Sequence, residues 1–143
     1  MSRLVMLEIL SDIDLEIMKV LWGYEKGATS LSIINELENR NIVERGIVTY
    51  SEDEIEDREN IIKQKVSSAL GRLVSKGFVK VRETNIGFRY HANVQSHIYY
   101  CYAITVFAKS LFYDNDSKKE IEYVHKLRKQ CEAIEDMYNT IEN

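Results

Sequence analysis

Proline is entirely absent from these 143 residues, and glycine occurs only six times. Without proline nothing locks the backbone into rigid turns or interrupts a helix from within. So few glycines also leave little scope for the many tight turns of an all-β sandwich. Both shortages favour helices. Cysteine is scarce too: Cys101 and Cys131 are the only two. That is too few for a disulfide framework, and in a reducing compartment both are expected as thiols buried in packing. No apolar run approaches the roughly 20 residues that span a bilayer. The 29% of charged residues excludes a membrane-embedded chain, and the 45% of hydrophobic ones excludes a disordered one. The opening Met1-Ser-Arg-Leu-Val-Met-Leu-Glu8 holds only a short apolar patch between Arg3 and Glu8, with no small-residue cleavage site after it. A signal peptide needs more, so the expectation is a cytoplasmic protein with no membrane partner. The length suits one domain, or one small domain with an appendage, able to fold without a metal or disulfide staple.

The net charge of −4 gives no hint of a nucleic-acid partner, but its distribution does. Residues 36–62 carry a net −6. Residues 63–94 reverse this to +6, with Lys63, Lys65, Arg72, Lys76, Lys80, Arg82 and Arg89 against Glu83 alone. Positive charge gathered into one stretch can meet a polyanion on one face, although an ordinary solvated face has the same composition.

Periodicity places these charges on elements. Ser11 is a candidate N-cap, with Asp12 and Asp14 in the first turn favouring the helix dipole. Leu15, Met18, Leu21 and Trp22 then follow as one apolar stripe. Thr29 or Ser30 opens a second helix with Ile33, Ile34 and Leu37, ending near Arg40. Residues 41–60 are poorly periodic and hold the acidic run 52–59, where Ser51 and Glu54 match a capping box. This run is expected as a short helix or as the first turns of a longer one. A third helix is predicted over 62–76, apolar at Val66, Ala69, Leu70, Leu73 and Val74, with Gly77 as its left-handed C-terminal cap. The period then switches to two. Residues 78–82 and 88–91 form a hairpin around Thr84-Asn-Ile-Gly87, with basic residues near its tip. The rest is helical: 95–113 with Ile98 and Tyr102, then a capping box at 117–120. After it comes a heptad seam of Val124, Leu127, Cys131, Ile134, Tyr138 and Ile141.

Three helices followed by a basic hairpin is the order of a winged helix-turn-helix, mainly α with a small β-hairpin. In that arrangement the third helix enters the major groove of double-stranded DNA and the hairpin lies along the backbone. Lys63, Lys65 and Arg72 can neutralise phosphates or read guanine, Gln64 can read adenine, and the small hydroxyls of Ser67 and Ser68 permit close approach. Arg82 and Arg89 would serve from the hairpin. The expected organisation is a DNA-binding domain over 1–94, with an acidic insertion at about 41–60, and a helical dimerisation region over 95–143. In that region Ile98, Tyr102 and the seam pair with a second copy, and Leu127 and Ile134 bury together. Lys65 and Arg72 are expected to be exposed, so alanine at both should remove DNA binding and leave the fold and dimer intact. The alternative is a winged-helix protein acting mainly through its acidic insertion and Tyr-rich tail (Tyr99, Tyr100, Tyr102, Tyr113) on a protein or small molecule. An unknown effector or regulatory protein is the further partner such a tail would accept.

The stretch Leu10-Ser-Asp-Ile-Asp-Leu-Glu-Ile-Met-Lys-Val-Leu-Trp22 resembles the opening helix of the penicillinase-repressor family, the BlaI/MecI/CopY type of winged-helix transcriptional repressors. Val66-Ser-Ser-Ala-Leu-Gly-Arg-Leu-Val-Ser-Lys-Gly-Phe78 is similar to that family's recognition helix and the start of its wing. Phe88-Arg-Tyr90 resembles the return strand. The resemblance covers most of residues 8–142 and implies a homodimeric repressor binding a pseudo-palindromic operator. Carried over by position, the DNA-facing residues are Gln64, Lys65, Ser67, Ser68 and Arg72, with Ser67 and Ser68 standing where Arg and Thr are common. Three departures stand out. The acidic insertion is extra. The Asn-Phe dipeptide at which relatives are cut is absent, and so are the paired Cys-x-Cys motifs of copper-responsive relatives.

No enzyme is expected. A Gly-rich phosphate loop, a Gly-x-Ser-x-Gly and a His-Glu-x-x-His are all missing. His97 and Cys101 stand four apart on one helical face, but one such pair is far short of a metal site. The acidic run lacks the glycine and spacing of a calcium loop. Neither a metal nor a cofactor is expected.

Overall fold

A computed structural model describes residues 7–111 together with Glu122, His125, Lys126, Arg128, Lys129 and Glu132, apart from the side chains of residues 54–56 and 111. The chain divides into two compact units, one holding Leu10–Val94 and the other Leu7–Ile9 with Gln95 onward.

In the first unit α1 (Asp12–Trp22) and α2 (Ser30–Asn39) are followed by a short 3-10 helix (Glu52–Asp57) that leads straight into α3 (Arg58–Lys76). The hairpin β1 (Val79–Thr84) and β2 (Gly87–Ala92) comes next. The second unit opens with α4 (Ser96–Leu111). The described residues are thus mainly helical, four α-helices with an antiparallel hairpin after the third.

Local chemistry accounts for most of the boundaries. Ser11 does hold the N-cap position, but its carbonyl does the work, accepting from Leu15 N at 2.9 Å, and its side chain makes no capping bond. Thr29 caps α2 through its hydroxyl, which accepts from Ser32 N at 3.2 Å. Gly77 ends α3 at φ 85°, a left-handed conformation that costs a residue with a Cβ but not glycine. The third helix starts at Arg58, four residues ahead of its predicted start at residue 62, because Ile62 is itself fully buried and Glu59 sits in the first turn. The hairpin turn falls at 84–87 as expected, and the strands run further toward it than the predicted 78–82 and 88–91. Thr84 pairs with Gly87, leaving Asn85 and Ile86 as a two-residue turn, and the Thr84 hydroxyl donates to the Gly87 carbonyl at 2.7 Å.

The core of this unit is built from all its helices. Ile17, Met18, Leu21, Ile33, Leu37, Ile62, Val66, Leu73 and Phe78 are almost wholly enclosed, and α1, α2 and α3 pack against one another. Each large side chain buried this fully stabilises the unit by about 1.5–3 kcal/mol. The indole N–H of Trp22 donates to the Val94 carbonyl at 2.8 Å, fixing the end of α1 beside the end of the unit. Ala28 adds a third, one-residue strand through paired hydrogen bonds with Tyr90. Beside it Gly27, at φ 80°, lies against the His91 ring so closely that a Cβ would stand 2.5 Å from a ring carbon.

Residues 41–50 form successive turns that the core holds in place. Asn41 and Gly46 take positive φ, and Ile42 and Val48 are buried. Arg45 reaches back 2.7 Å to Glu16, a carboxylate only 4% exposed on α1. Burial pushes the Glu16 carboxyl up, but the Arg45 hydrogen bond, with the charges of Lys19 and Arg45, outweighs it and holds the group below its ordinary value of 4.5. A folded-state pKa below the unfolded one gives stability that is complete above the unfolded value and is lost as pH falls through the folded one. Arg45→Met should therefore lower the melting temperature at pH 7, and the gap to the native protein should narrow on acidification below pH 4.5. A gap that stays constant across that range in thermal unfolding would contradict the pairing.

Candidate nucleic-acid interface

α3 presents two faces because its apolar residues recur at helical spacing. Ile62, Val66, Ala69, Leu70 and Leu73 turn inward. Lys63, Gln64, Lys65, Ser67, Ser68 and Arg72 are all exposed on the outer face. Gly71 lies among them, and a Cβ built on it would meet nothing within 4 Å. Two serines and a glycine keep this face low, so another surface can come close to the helix backbone. The three cationic side chains, Lys63, Lys65 and Arg72, rise around it.

Two of these cations already have partners inside the unit. Arg72 donates through Nη2 to Asp14 Oδ1 at 2.9 Å. The Asp14 side chain is 3% exposed, whereas that of Arg72 is 47% exposed. Sequence reasoning placed Asp14 in the first turn as a complement to the helix dipole. Its main role in the structure is as the buried counter-charge of Arg72. The pair ties α1 to α3, and one N–H of the guanidinium faces the carboxylate while others remain toward solvent. Lys65 donates through Nζ to the Thr49 carbonyl, so the insertion touches the outer face of α3. Ile47 from the same segment and Ile13 from α1 complete a concavity of about 330 Å³ over Gln64, Lys65, Ser68 and Arg72. Nothing in the sequence pattern signalled this wall, because Ile47 belongs to no periodic stripe.

The acidic run caps the N-terminal end of α3 as a 3-10 helix, with Glu52, Asp53, Asp57 and Glu59 exposed. Its charge complements the helix dipole there. Arg58 reaches Glu44 at 3.6 Å, a surface pair of small energetic weight.

On the hairpin, strand alternation puts Lys80 and Arg82 on one face with their cross-strand partners His91 and Arg89. Arg82 is exposed. Arg89 is half-buried and leans its Nη1 toward the Gly27 carbonyl at 3.4 Å. The fold thus brings six of the eight DNA-facing candidates onto one face of α3 and the other two onto one face of the hairpin.

In the second unit Ile98 is 46% exposed and Tyr102 half-buried. The other dimerisation candidates, Val124, Leu127, Cys131, Ile134, Tyr138 and Ile141, lie outside the described residues. Along α4 Tyr100, one of the tyrosines of the Tyr-rich tail, forms an exposed stripe with Ile104 and Phe107, which the sequence pattern did not signal, at spacings of four and three and with Phe107 at 64%. His97 and Cys101 share a cavity of about 390 Å³ with Arg128 and Glu132. Among the described residues there is no group of three His, Cys, Asp or Glu side chains placed to hold a metal ion. No described helix is long and apolar enough to cross a membrane. Comparison with protein-family models gives no match, and comparison with curated proteins gives none either.

Proposed function

We propose that this protein is a sequence-specific DNA-binding transcriptional regulator of the winged helix-turn-helix type, a repressor that occupies a pseudo-palindromic operator as a homodimer. The observation that carries this reading is the low, polar, cation-edged outer face of α3, followed directly by a hairpin with a basic face. The one-residue strand at Ala28 supports it as well, since it braces the hairpin from the α1–α2 connection and fixes the wing relative to the helix bundle. On this reading α3 enters the major groove with Gln64, Ser68 and Arg72 toward base edges, while Lys63 and Lys65 take phosphates. Two-fold symmetry places the half-sites one helical turn apart, or a multiple of it. The likeness of its helices to the penicillinase-repressor family points the same way. The test is a gel shift of the full chain on DNA from upstream of its own gene, against a scrambled duplex of equal length. A saturable shift on the first only is expected, and equal shifts or none would overturn the proposal.

The acidic run should oppose DNA on this reading, because Asp57 at the N-cap of α3 and Glu59 in its first turn stand within about two turns of Lys63 and Lys65. Glu56, Asp57 and Glu59 changed together to Gln should tighten binding, most at low salt where screening is weakest. Weaker binding by the triple variant in the same gel-shift series would mean that the acids hold the basic helix in place.

A further inference from the structure

Ile86 is the most exposed of the large apolar side chains among the described residues, at 79%. It sits in the two-residue turn at the end of the hairpin, where a polar residue would be ordinary. Phe88, 56% exposed, follows it on the return strand. One strand face away, Arg82 and Arg89 stand directly opposite each other, and Lys80 stands opposite His91. Like charges directly opposed across a ladder destabilise a hairpin. Among the described residues no carboxylate pairs with Lys80, Arg82 or Arg89. Glu83, the hairpin's own acid, alternates onto the other face. The tip therefore combines uncompensated positive charge with a protruding aliphatic side chain.

Resting on the proposed DNA-binding function, we infer that the hairpin tip enters the minor groove, where Arg82 follows the groove and Ile86 wedges against a base step and bends the duplex. The charge selects the occupant: an apolar protein surface would leave the opposed arginines uncompensated, whereas duplex DNA places phosphates on both sides of them. In undistorted B-DNA the minor groove is about 6 Å wide, room for the side chains of a turn before any widening that would admit the strands behind them. Apolar wedges of this kind partly unstack a base step and kink DNA toward the major groove by roughly 20–90°. Cationic side chains favour narrow A·T-rich minor grooves, which also gives the site a sequence preference outside the bases read by α3.

The experiment uses the full chain and the upstream duplex carrying a donor and an acceptor dye at its ends. Native protein should shorten the end-to-end distance, and netropsin, which fills A·T minor grooves, should compete with it. Ile86→Ser should melt like the native protein, since the side chain is exposed, yet lose most of the bend and bind about tenfold more weakly. An unbent native complex, or an Ile86→Ser variant that binds and bends like the native protein, overturns the inference. DNA binding that netropsin leaves untouched overturns it too. If the native chain binds no duplex at all, the DNA-binding proposal itself fails, an outcome distinct from a defect confined to the variant.

Discussion

Arg72→Ala is expected to lower the stability of the first unit by about 2–3 kcal/mol in urea unfolding, even though the side chain it removes is half exposed. The reason lies in its partner. Asp14 is 2% exposed on α1, and Arg72 is the partner that answers its charge, at 2.9 Å. Removing the guanidinium leaves a carboxylate enclosed without a counter-charge. Breaking a fully buried pair costs about 3–5 kcal/mol, and solvent at the arginine end reduces that here. Adding Asp14→Ala to the variant should restore part of the loss, because the orphaned charge goes with it. A change below about 0.5 kcal/mol in the single variant, the range of ordinary surface substitutions, would contradict the role assigned to the pair. The consequence for DNA binding is practical. From sequence, alanine at Lys65 and Arg72 together looked harmless to the fold; the ion pair to Asp14 corrects this for Arg72, and a binding defect in that double variant would mix lost contacts with lost structure.

Ile104→Asp with Phe107→Asp should give a folded monomer whose DNA affinity falls by roughly 10²–10⁴-fold, with a melting temperature lowered only by what association had contributed. Tyr100, Ile104 and Phe107 form an exposed stripe on α4, and on the proposed function a second copy of the chain is the partner that a two-fold operator would require. Charges there would repel across the interface. A monomer engages one half-site at a time and loses the effective concentration that a linked second site supplies. Exposed positions cost the folded chain little when substituted. Light scattering after size exclusion measures the first effect, and anisotropy with a labelled duplex the second. A native protein that is a monodisperse monomer at micromolar concentration would refute the account of this face.

The elements that periodicity governs were legible in the sequence. The stripes Ile33, Ile34, Leu37 and Val66, Ala69, Leu70, Leu73 gave two helices and their buried faces, and Gly77 gave the end of α3. The switch to alternation after it gave the hairpin. What escaped were contacts between residues distant along the chain, which no local pattern encodes. Asp14 read only as a first-turn acid favouring the helix dipole and Glu16 carried no signal of its own, yet both are buried, with Arg72 and Arg45 arriving from 58 and 29 residues away. Ala28 pairs with Tyr90 through backbone atoms alone, so its side chain could not announce the third strand. Residues 41–50 lacked periodicity and read as a loose insertion. Two buried aliphatics and one arginine are enough to fix such a segment, and Ile47 and Thr49 then shape the α3 face. The exposed polar residues of that face were legible because they are defined by what they avoid, the core.

The salt dependence of duplex binding tests the central claim most directly. Anisotropy titrations of the upstream duplex over increasing salt, with the native chain and with a Lys63→Ala, Lys65→Ala, Arg82→Ala variant, give the two slopes of log K against log salt. Each phosphate contact contributes about 0.9 to that slope, so the variant's should be shallower by roughly 2.7 for each chain bound. A native slope near zero, or the same slope in both proteins, would contradict the assignment of α3 and the hairpin to DNA.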